Sequence, residues 1–163
     1  MLVSDFIKNK NNTKGLIIIS CLRLSNIFTR SRLLKILGFP IRFVYKLTIQ
    51  WIIGCDIPDT TRIGPGCVIF HGQGLVINSA VLIGANCTLR QNTTIGVSRQ
   101  DGGCPIIGNN VDIGANTVII GEICVGDFAV IGAGSVITKN IPAYSVCVGN
   151  PGRVIKERSF NSL

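Results

Sequence analysis

From Ile57 onward a six-residue beat governs this chain, a period that neither an α-helix nor an alternating strand produces. Aliphatic residues stand at Ile57, Ile63 and Ile69, at Ile77, Ile83, Leu89 and Ile95, and at Ile107, Ile113, Ile119, Val125, Ile131 and Ile137. Gly follows at 64, 84, 96, 108, 114, 126 and 132, as expected where the chain bends too sharply to tolerate a Cβ. Four residues beyond the phased positions stand small or β-branched residues: Thr61, Cys67, Val81, Cys87, Thr93, Val111, Thr117, Ala129 and Ser135. Such a repeat predicts a mainly β chain wound as a parallel β-helix. Each hexad is one flat face, three make a triangular coil, and the phased aliphatics stack inside. Each coil adds one inter-strand spacing, ~4.8 Å.

Two departures from the beat stand out. Ile69 to Ile77 is eight residues, so two extra residues fall around Phe70-His71-Gly72-Gln73-Gly74 and bulge the wall at the chain's single histidine. Irregularity in a repeat is where function is commonly built. Ile95 to Ile107 keeps phase, yet Asp101 stands where an aliphatic is required, which predicts a projecting loop over residues 97–105.

Before the hexads, residues 13–53 carry apolar residues at helical spacing. Arg23, Asn26 and Arg30 share one stripe of a first helix, and Arg42, Lys46 and Gln50 share one stripe of a second. Pro40 suits the first turn of that second helix and Gly54 its stop, giving two helices and a connector. The expected organisation is a helical segment 1–56, a β-helix 57–148 and a C-terminal tail 149–163.

Charge follows the same division. Residues 1–56 hold nine Lys/Arg against Asp5 and Asp56, a net +7 out of a total of +8. An excess confined to a short apolar segment argues against a nucleic-acid groove along the main domain. It suits either a basic amphipathic face near acidic lipid or a solvated helix face. Neither Leu16–Ser20 nor the stretch Phe39–Cys55, interrupted by Arg42 and Lys46, is long and apolar enough to span a bilayer, and the first residues lack a signal-peptide core.

With 163 residues, 47% of them hydrophobic and 15% charged, the chain must bury a large apolar surface within itself or between copies. The seven cysteines contain no CxxC pair and read as reduced thiols of a cytoplasmic protein, with Cys67 and Cys87 filling the interior.

The hexads, the His71-Gly72-Gln73-Gly74 bulge, the loop and the ending Val148–Lys156 together resemble the serine acetyltransferase branch of the hexapeptide-repeat acyltransferases. The likeness is strongest to small O-acetyltransferases of capsule and exopolysaccharide (colanic-acid-type) clusters, and it covers about residues 50–157. It implies a left-handed β-helix and a homotrimer with active sites in the clefts between neighbouring prisms. Acetyl-CoA, the acyl donor, would lie extended along the wall with the loop closed over it. Hexads also occur in γ-class carbonic anhydrases, whose zinc needs more histidines than the one present here, so no metal is expected.

Acetyl transfer to a hydroxyl needs a base for the hydroxyl proton and donors for the tetrahedral oxyanion. Histidine is the residue type whose ordinary pKa suits a base at neutral pH, and His71 matches the family's catalytic histidine. A carboxylate orients such a base. Asp56, fifteen residues earlier, matches the family's aspartate; Asp59 is the competitor, and a capping role is the alternative for Asp56. The oxyanion donors stay unassigned.

By the same resemblance, Ala115 and Ala133 match small positions along the pantetheine arm, and Thr138, Lys139, Arg153 and Lys156 match positions at the nucleotide end. Serine acetyltransferases carry an Arg-His pair before the loop proline to hold the amino-acid acceptor. Here Gly103-Cys104 precedes Pro105, which favours a sugar hydroxyl, on a polysaccharide unit or its lipid-linked precursor, with the basic helices near the membrane. Serine O-acetyltransferase and a non-catalytic trimeric scaffold are the alternatives.

Overall fold

The computed structural model describes residues 1–157, in which three parallel sheets form the walls of a triangular prism. The first wall holds β1 (Arg62–Ile63), β4 (Leu82–Ile83), β7 (Ile106–Ile107) and β10 (Cys124–Val125). The second holds β2 (Val68–Phe70), β5 (Thr88–Arg90), β8 (Asp112–Ile113), β11 (Val130–Ile131), β13 (Ser145–Val148) and β14 (Arg153–Glu157). The third holds β3 (Val76–Ile77), β6 (Thr94–Gly96), β9 (Val118–Ile120) and β12 (Val136–Ile137). Up to β12 the chain visits the walls in turn, so like positions of successive coils meet: Ile63 on Ile83 on Ile107 on Val125, and Ile77 on Ile95 on Ile119 on Ile137.

The interior is the stack expected from the beat. None of the thirteen phased aliphatics is more than 5% exposed, and the small or β-branched residues four positions on are buried beside them. Two interior hydroxyls are satisfied locally, Thr117 and Ser135 each donating to the carbonyl three residues earlier at 2.8 and 2.7 Å, whereas the Thr61 hydroxyl is buried without a partner. Cys67 and Cys87 fill the interior as small hydrophobes.

The glycines that follow the phased residues have a different cause from the one expected. A Cβ on Gly84 would sit 2.5 Å from the Gly108 carbonyl oxygen, and one on Gly114 would meet the Ala133 amide. Close approach of the next coil excludes the side chain; the left-handed backbone falls two residues later, at Asn86, Asn110 and Asn116. Gly96, where the 97–105 loop departs, is the exception, since a Cβ there would only touch Asn78 at 3.4 Å.

The ladder between coils runs both ways, with Asn86 donating back to Pro65 O (2.8 Å) and Ile77 back to Asp56 O (2.9 Å). Amides of one coil donate to carbonyls of the next, as in Gly64 to Ile83 (2.8 Å), Val68 to Cys87 (2.9 Å) and Val76 to Thr93 (2.9 Å). No coil precedes the first, so its carbonyls that point away from the second coil need other donors, and burying them unpaired would be costly.

Helices carry the missing donors. The chain opens with α1 (Leu2–Asn9), α2 (Thr13–Ile27), α3 (Arg32–Leu37) and α4 (Phe39–Tyr45), and α4 runs on into a π-helical turn, Lys46–Ile52, before Gly54 at φ +71°. Asn9 donates to Cys67 O and Asn12 to Ile69 O, both at 2.9 Å. Arg23 donates to Ile63 O (2.5 Å) and Gly64 O (2.6 Å), and Asn26 to Asp59 O (2.7 Å). The Tyr45 hydroxyl (2.6 Å) and Gln50 amide (3.0 Å) share Ile57 O.

Two expectations change here. The expected polar stripe is divided: Arg23 is 9% exposed and paired at 3.0 Å with Asp5, itself buried and accepting from the Gly66 amide, and Asn26 is half-buried, whereas Arg30 lies beyond α2 and is exposed. The two expected helices correspond to α2 and the α4–π run, with Pro40 in the first turn of α4; α1 and α3 are additional, being too short for a periodicity signal. At the far end the tail forms an antiparallel β13–β14 hairpin; the remaining tail residues, 158–163, lie outside those described.

Replacing Arg23 by Met should strand the Asp5 carboxylate and two carbonyls, lowering unfolding free energy in urea by about 3–5 kcal/mol. The double change Asp5→Asn/Arg23→Met should recover part of it. A loss below about 1 kcal/mol in the single variant would contradict the capping role.

Candidate active site

The wall leaves register after Phe70. His71 and Gly72 are the two inserted residues, in left-handed conformations at φ +69° and +77°, and register resumes by Gly74, whose amide donates to Gly54 O at 2.8 Å. Among the described residues six other non-glycines have positive φ, but they stand at the repeating corners, whereas His71 stands in the insertion. Histidine is among the residues that accept this conformation, at a cost of about 1–2 kcal/mol relative to ordinary backbone.

Helix α2 shapes the bulge from below. A Cβ on buried Gly72 would lie 2.6 Å from Ile18 Cδ1, and a Cβ on Gly15 would run into the Ile69 carbonyl, so helix and wall touch backbone to backbone. His71 itself is exposed, and among the described residues no side chain hydrogen-bonds its imidazole. Beside it the Arg90 guanidinium lies 5.8 Å from the Phe70 ring centre, pairs with Asp112 and donates to Ile113 O at 2.9 Å.

The two candidate carboxylates separate cleanly. Asp59 accepts from Arg42 Nε at 2.7 Å and Ser25 Oγ at 2.8 Å. Burial pushes its carboxyl up, but the Arg42 and Ser25 hydrogen bonds and the Arg42 charge outweigh this and hold it below the usual range. It is committed to tying α2 and α4 to the first coil. Asp56 is exposed; its backbone pairs with Val76, the amide donating to Leu75 O at 2.8 Å and the carbonyl accepting from Ile77 at 2.9 Å. It thus stands next to the segment into which the bulge leads, although no hydrogen bond joins Asp56 to His71 within the single chain.

A thiol also underlies the bulge. Burial, with the Asp56 charge adding to it, pushes Cys55 up to about 12, so it stays protonated.

The edge between the second and third walls connects the remaining residues. Asn92 donates to Gln73 O, Asn116 to Gln91 O and Gly134 to Ala115 O, so the bulge, Gln91, Ala115 and Ala133 occupy four successive coils of one edge. From bulge to Ala133 is three inter-strand spacings, about 14 Å. Small side chains keep that edge open, and a Cβ on Gly134 would meet nothing within 4 Å. Thr138 and Lys139 follow β12, and the Gly152 amide bonds Val136 O at 2.8 Å, bringing Arg153 to the same end of the prism; Lys156 lies opposite Val146. All four are exposed. The 97–105 loop leaves from the neighbouring edge, between β6 and β7.

Gln91 was not singled out by the sequence, where a glutamine at a corner reads as ordinary surface. Its side-chain oxygen is buried without a partner, on the coil between the bulge and that of Ala115. Two clefts of about 790 Å³ flank the helices, one bounded by α4, the π-helical turn and Asp56–Asp59, the other by α1, α2 and β1. His71 lines neither. Among the described residues no group of three His, Cys, Asp or Glu could hold a metal.

No family model matches the chain. WcaB of Escherichia coli K12, which bears the name of a colanic acid biosynthesis acetyltransferase, is 37% identical over 116 residues, covering 71% of this chain and 72% of that protein. The chain belongs to the hexapeptide-repeat acetyltransferase family of WcaB and serine acetyltransferase. The serine acetyltransferase of Synechococcus elongatus is 38% identical over 106 residues, 64% of this chain but 43% of that longer protein. Among solved structures, soybean serine acetyltransferase superposes with a TM-score of 0.82 at 28% identity, covering 94% of this chain and 67% of that one. The Brucella abortus serine acetyltransferase in complex with coenzyme A gives 0.82 at 25% identity, covering 97% and 67%. The prism is thus the left-handed parallel β-helix of that family, and the protein is an acetyltransferase.

At pH 9 a thiol titrating near 12 is ionised in about one molecule in a thousand. Iodoacetamide should therefore label exposed Cys124 and spare Cys55 until unfolding, as read by peptide mass spectrometry. Early labelling of Cys55 would contradict the burial described.

Proposed function

We propose that this acetyltransferase moves the acetyl group of acetyl-CoA to a sugar hydroxyl of a capsular or exopolysaccharide unit or its lipid-linked precursor, with His71 as general base. The observation that carries this is the shared edge: the chain's single imidazole, on its own insertion, lies in line with Ala115 and Ala133.

His71 takes the acceptor hydroxyl proton as the new C–O bond forms at the acetyl carbonyl, and returns it to the departing CoA thiolate as the tetrahedral intermediate collapses. Asp56 fixes the imidazole tautomer and stabilises the imidazolium. Asp59 is unsuited to that role because Arg42 and Ser25 already hold it. The protonated Cys55 supports direct transfer over an acetyl-cysteine intermediate.

Ala115 and Ala133 leave room for the pantetheine arm, and Lys139, Arg153 and Lys156, with Thr138, hold the nucleotide phosphates at the far end. The single chain offers His71 an open edge without walls, which supports a homotrimer in which a neighbouring prism closes the site. Gly103-Cys104 before Pro105 supplies no guanidinium for an amino-acid carboxylate, and the fuller coverage of WcaB than of the serine enzymes points the same way.

A thiol-release assay with acetyl-CoA and either L-serine or a panel of glycans tests the proposal. His71→Ala should lower kcat roughly 10²- to 10⁴-fold with the KM for acetyl-CoA little changed, and Asp56→Asn should cost less. Preference for L-serine would favour serine O-acetyltransferase, and a folded trimer without turnover on any acceptor would favour the scaffold alternative.

A further inference from the structure

The N-terminal helices expose an apolar face that nothing among the described residues covers. Leu33, Ile36, Phe39, Phe43, Trp51 and Ile52 are all more than half exposed, Trp51 at 71% and Ile52 at 74%. Part of this surface is contiguous: Phe39 and Phe43 stack at 6.1 Å, both line one cleft with Trp51, and the Lys46 ammonium lies 6.0 Å from the Trp51 ring centre. Apolar surface gathered in this way marks an interaction site.

Charge selects the occupant. Residues 28–55 contain Arg30, Arg32, Lys35, Arg42 and Lys46 and no Asp or Glu. Arg42 is held by Asp59, and among the described residues the other four form no ion pair. A second copy meeting this face across a two-fold axis would set cation against cation. Anionic lipid satisfies both features, since Trp and Phe settle at the acyl boundary while Lys and Arg reach the phosphates.

We infer that α3, α4 and the π-helical turn dock on the surface of an anionic lipid bilayer. No helix among the described residues is long and apolar enough to cross one, so the contact is interfacial. Arg23 and Arg42, part of the basic excess, take no part because both are spent on internal carboxylates. Tyr45 of α4 and Gln50 of the π-helical turn help cap the coil that carries the His71 bulge. Docking therefore turns the base end of the prism toward the lipid and the Lys139–Arg153 end away from it, a consequence that rests on the function proposed above, whereas the docking itself does not.

Co-sedimentation of the full chain with vesicles of phosphatidylcholine, alone or mixed with phosphatidylglycerol, is the test. Binding is expected only to the mixed vesicles, weakening as salt is added. Arg32→Gln/Lys35→Gln should lower vesicle affinity about thirtyfold. Trp51→Ser/Ile52→Ser should lower it at least about tenfold at unchanged oligomeric state, and the control Lys8→Gln/Lys10→Gln should leave it within about threefold. Absence of binding, equal affinity for neutral vesicles, or an equal loss in the control would overturn the inference. So would light scattering in which the Trp51/Ile52 change splits an assembly while vesicle binding persists, since the face would then join copies of the chain. Thiol release measured without vesicles separates a failure of docking from a failure of the proposed chemistry.

Discussion

In this prism each coil exchanges hydrogen bonds with the coils on either side, and where the stacking stops, at its two ends, other groups must supply the partners. The first coil needs donors. The helices provide Asn, Arg, Tyr and Gln side chains, residue types that carry N–H or O–H groups long enough to reach a carbonyl across a helix–wall contact. The last full coil is completed by the returning tail: the Val136 amide donates to Gly149 O, the Val136 carbonyl accepts from Gly152, and the Gly149 amide donates to Ser135 Oγ at 3.1 Å. Helical cap and terminal hairpin are thus two answers to one hydrogen-bonding problem.

The cap also builds the candidate site. Because Gly15 and Gly72 let α2 rest directly on the wall, Ile18 fills the space beneath the inserted residues, and the chain is pushed into the left-handed turn that exposes His71. The inserted pair lies on the edge whose later coils carry Ala115 and Ala133, so the periodic fold converts a two-residue insertion into an alignment about three coil spacings long. Strain at the bulge is local, and the buried stack of Ile69, Leu89 and Ile113 on the adjoining wall continues past it.

Much of this was legible in the sequence because a stacked repeat writes each interior position many times over. The thirteen phased aliphatics, the inserted pair at His71 and the loop between Ile95 and Ile107 all follow from counting residues. Arg23 was not legible, since a polar stripe on a helix looks the same whether it meets water or a row of carbonyls. The glycines were half legible: their positions repeat, but their cause is a neighbouring coil that pairs with them only after winding. Asp59 could be told from Asp56 only once α4 had brought Arg42 to it, a contact across seventeen residues that no local pattern records. Gln91 shows the same limit, because burial of its amide oxygen depends on the two coils around it.

A structure of the protein with coenzyme A bound tests the central claim most directly. The expected result is pantetheine lying along the edge of Ala115 and Ala133, between two copies of the chain, with its sulfur beside His71. Coenzyme A seated in the cleft between α4 and the first coil, or along a wall remote from the inserted pair, would contradict it.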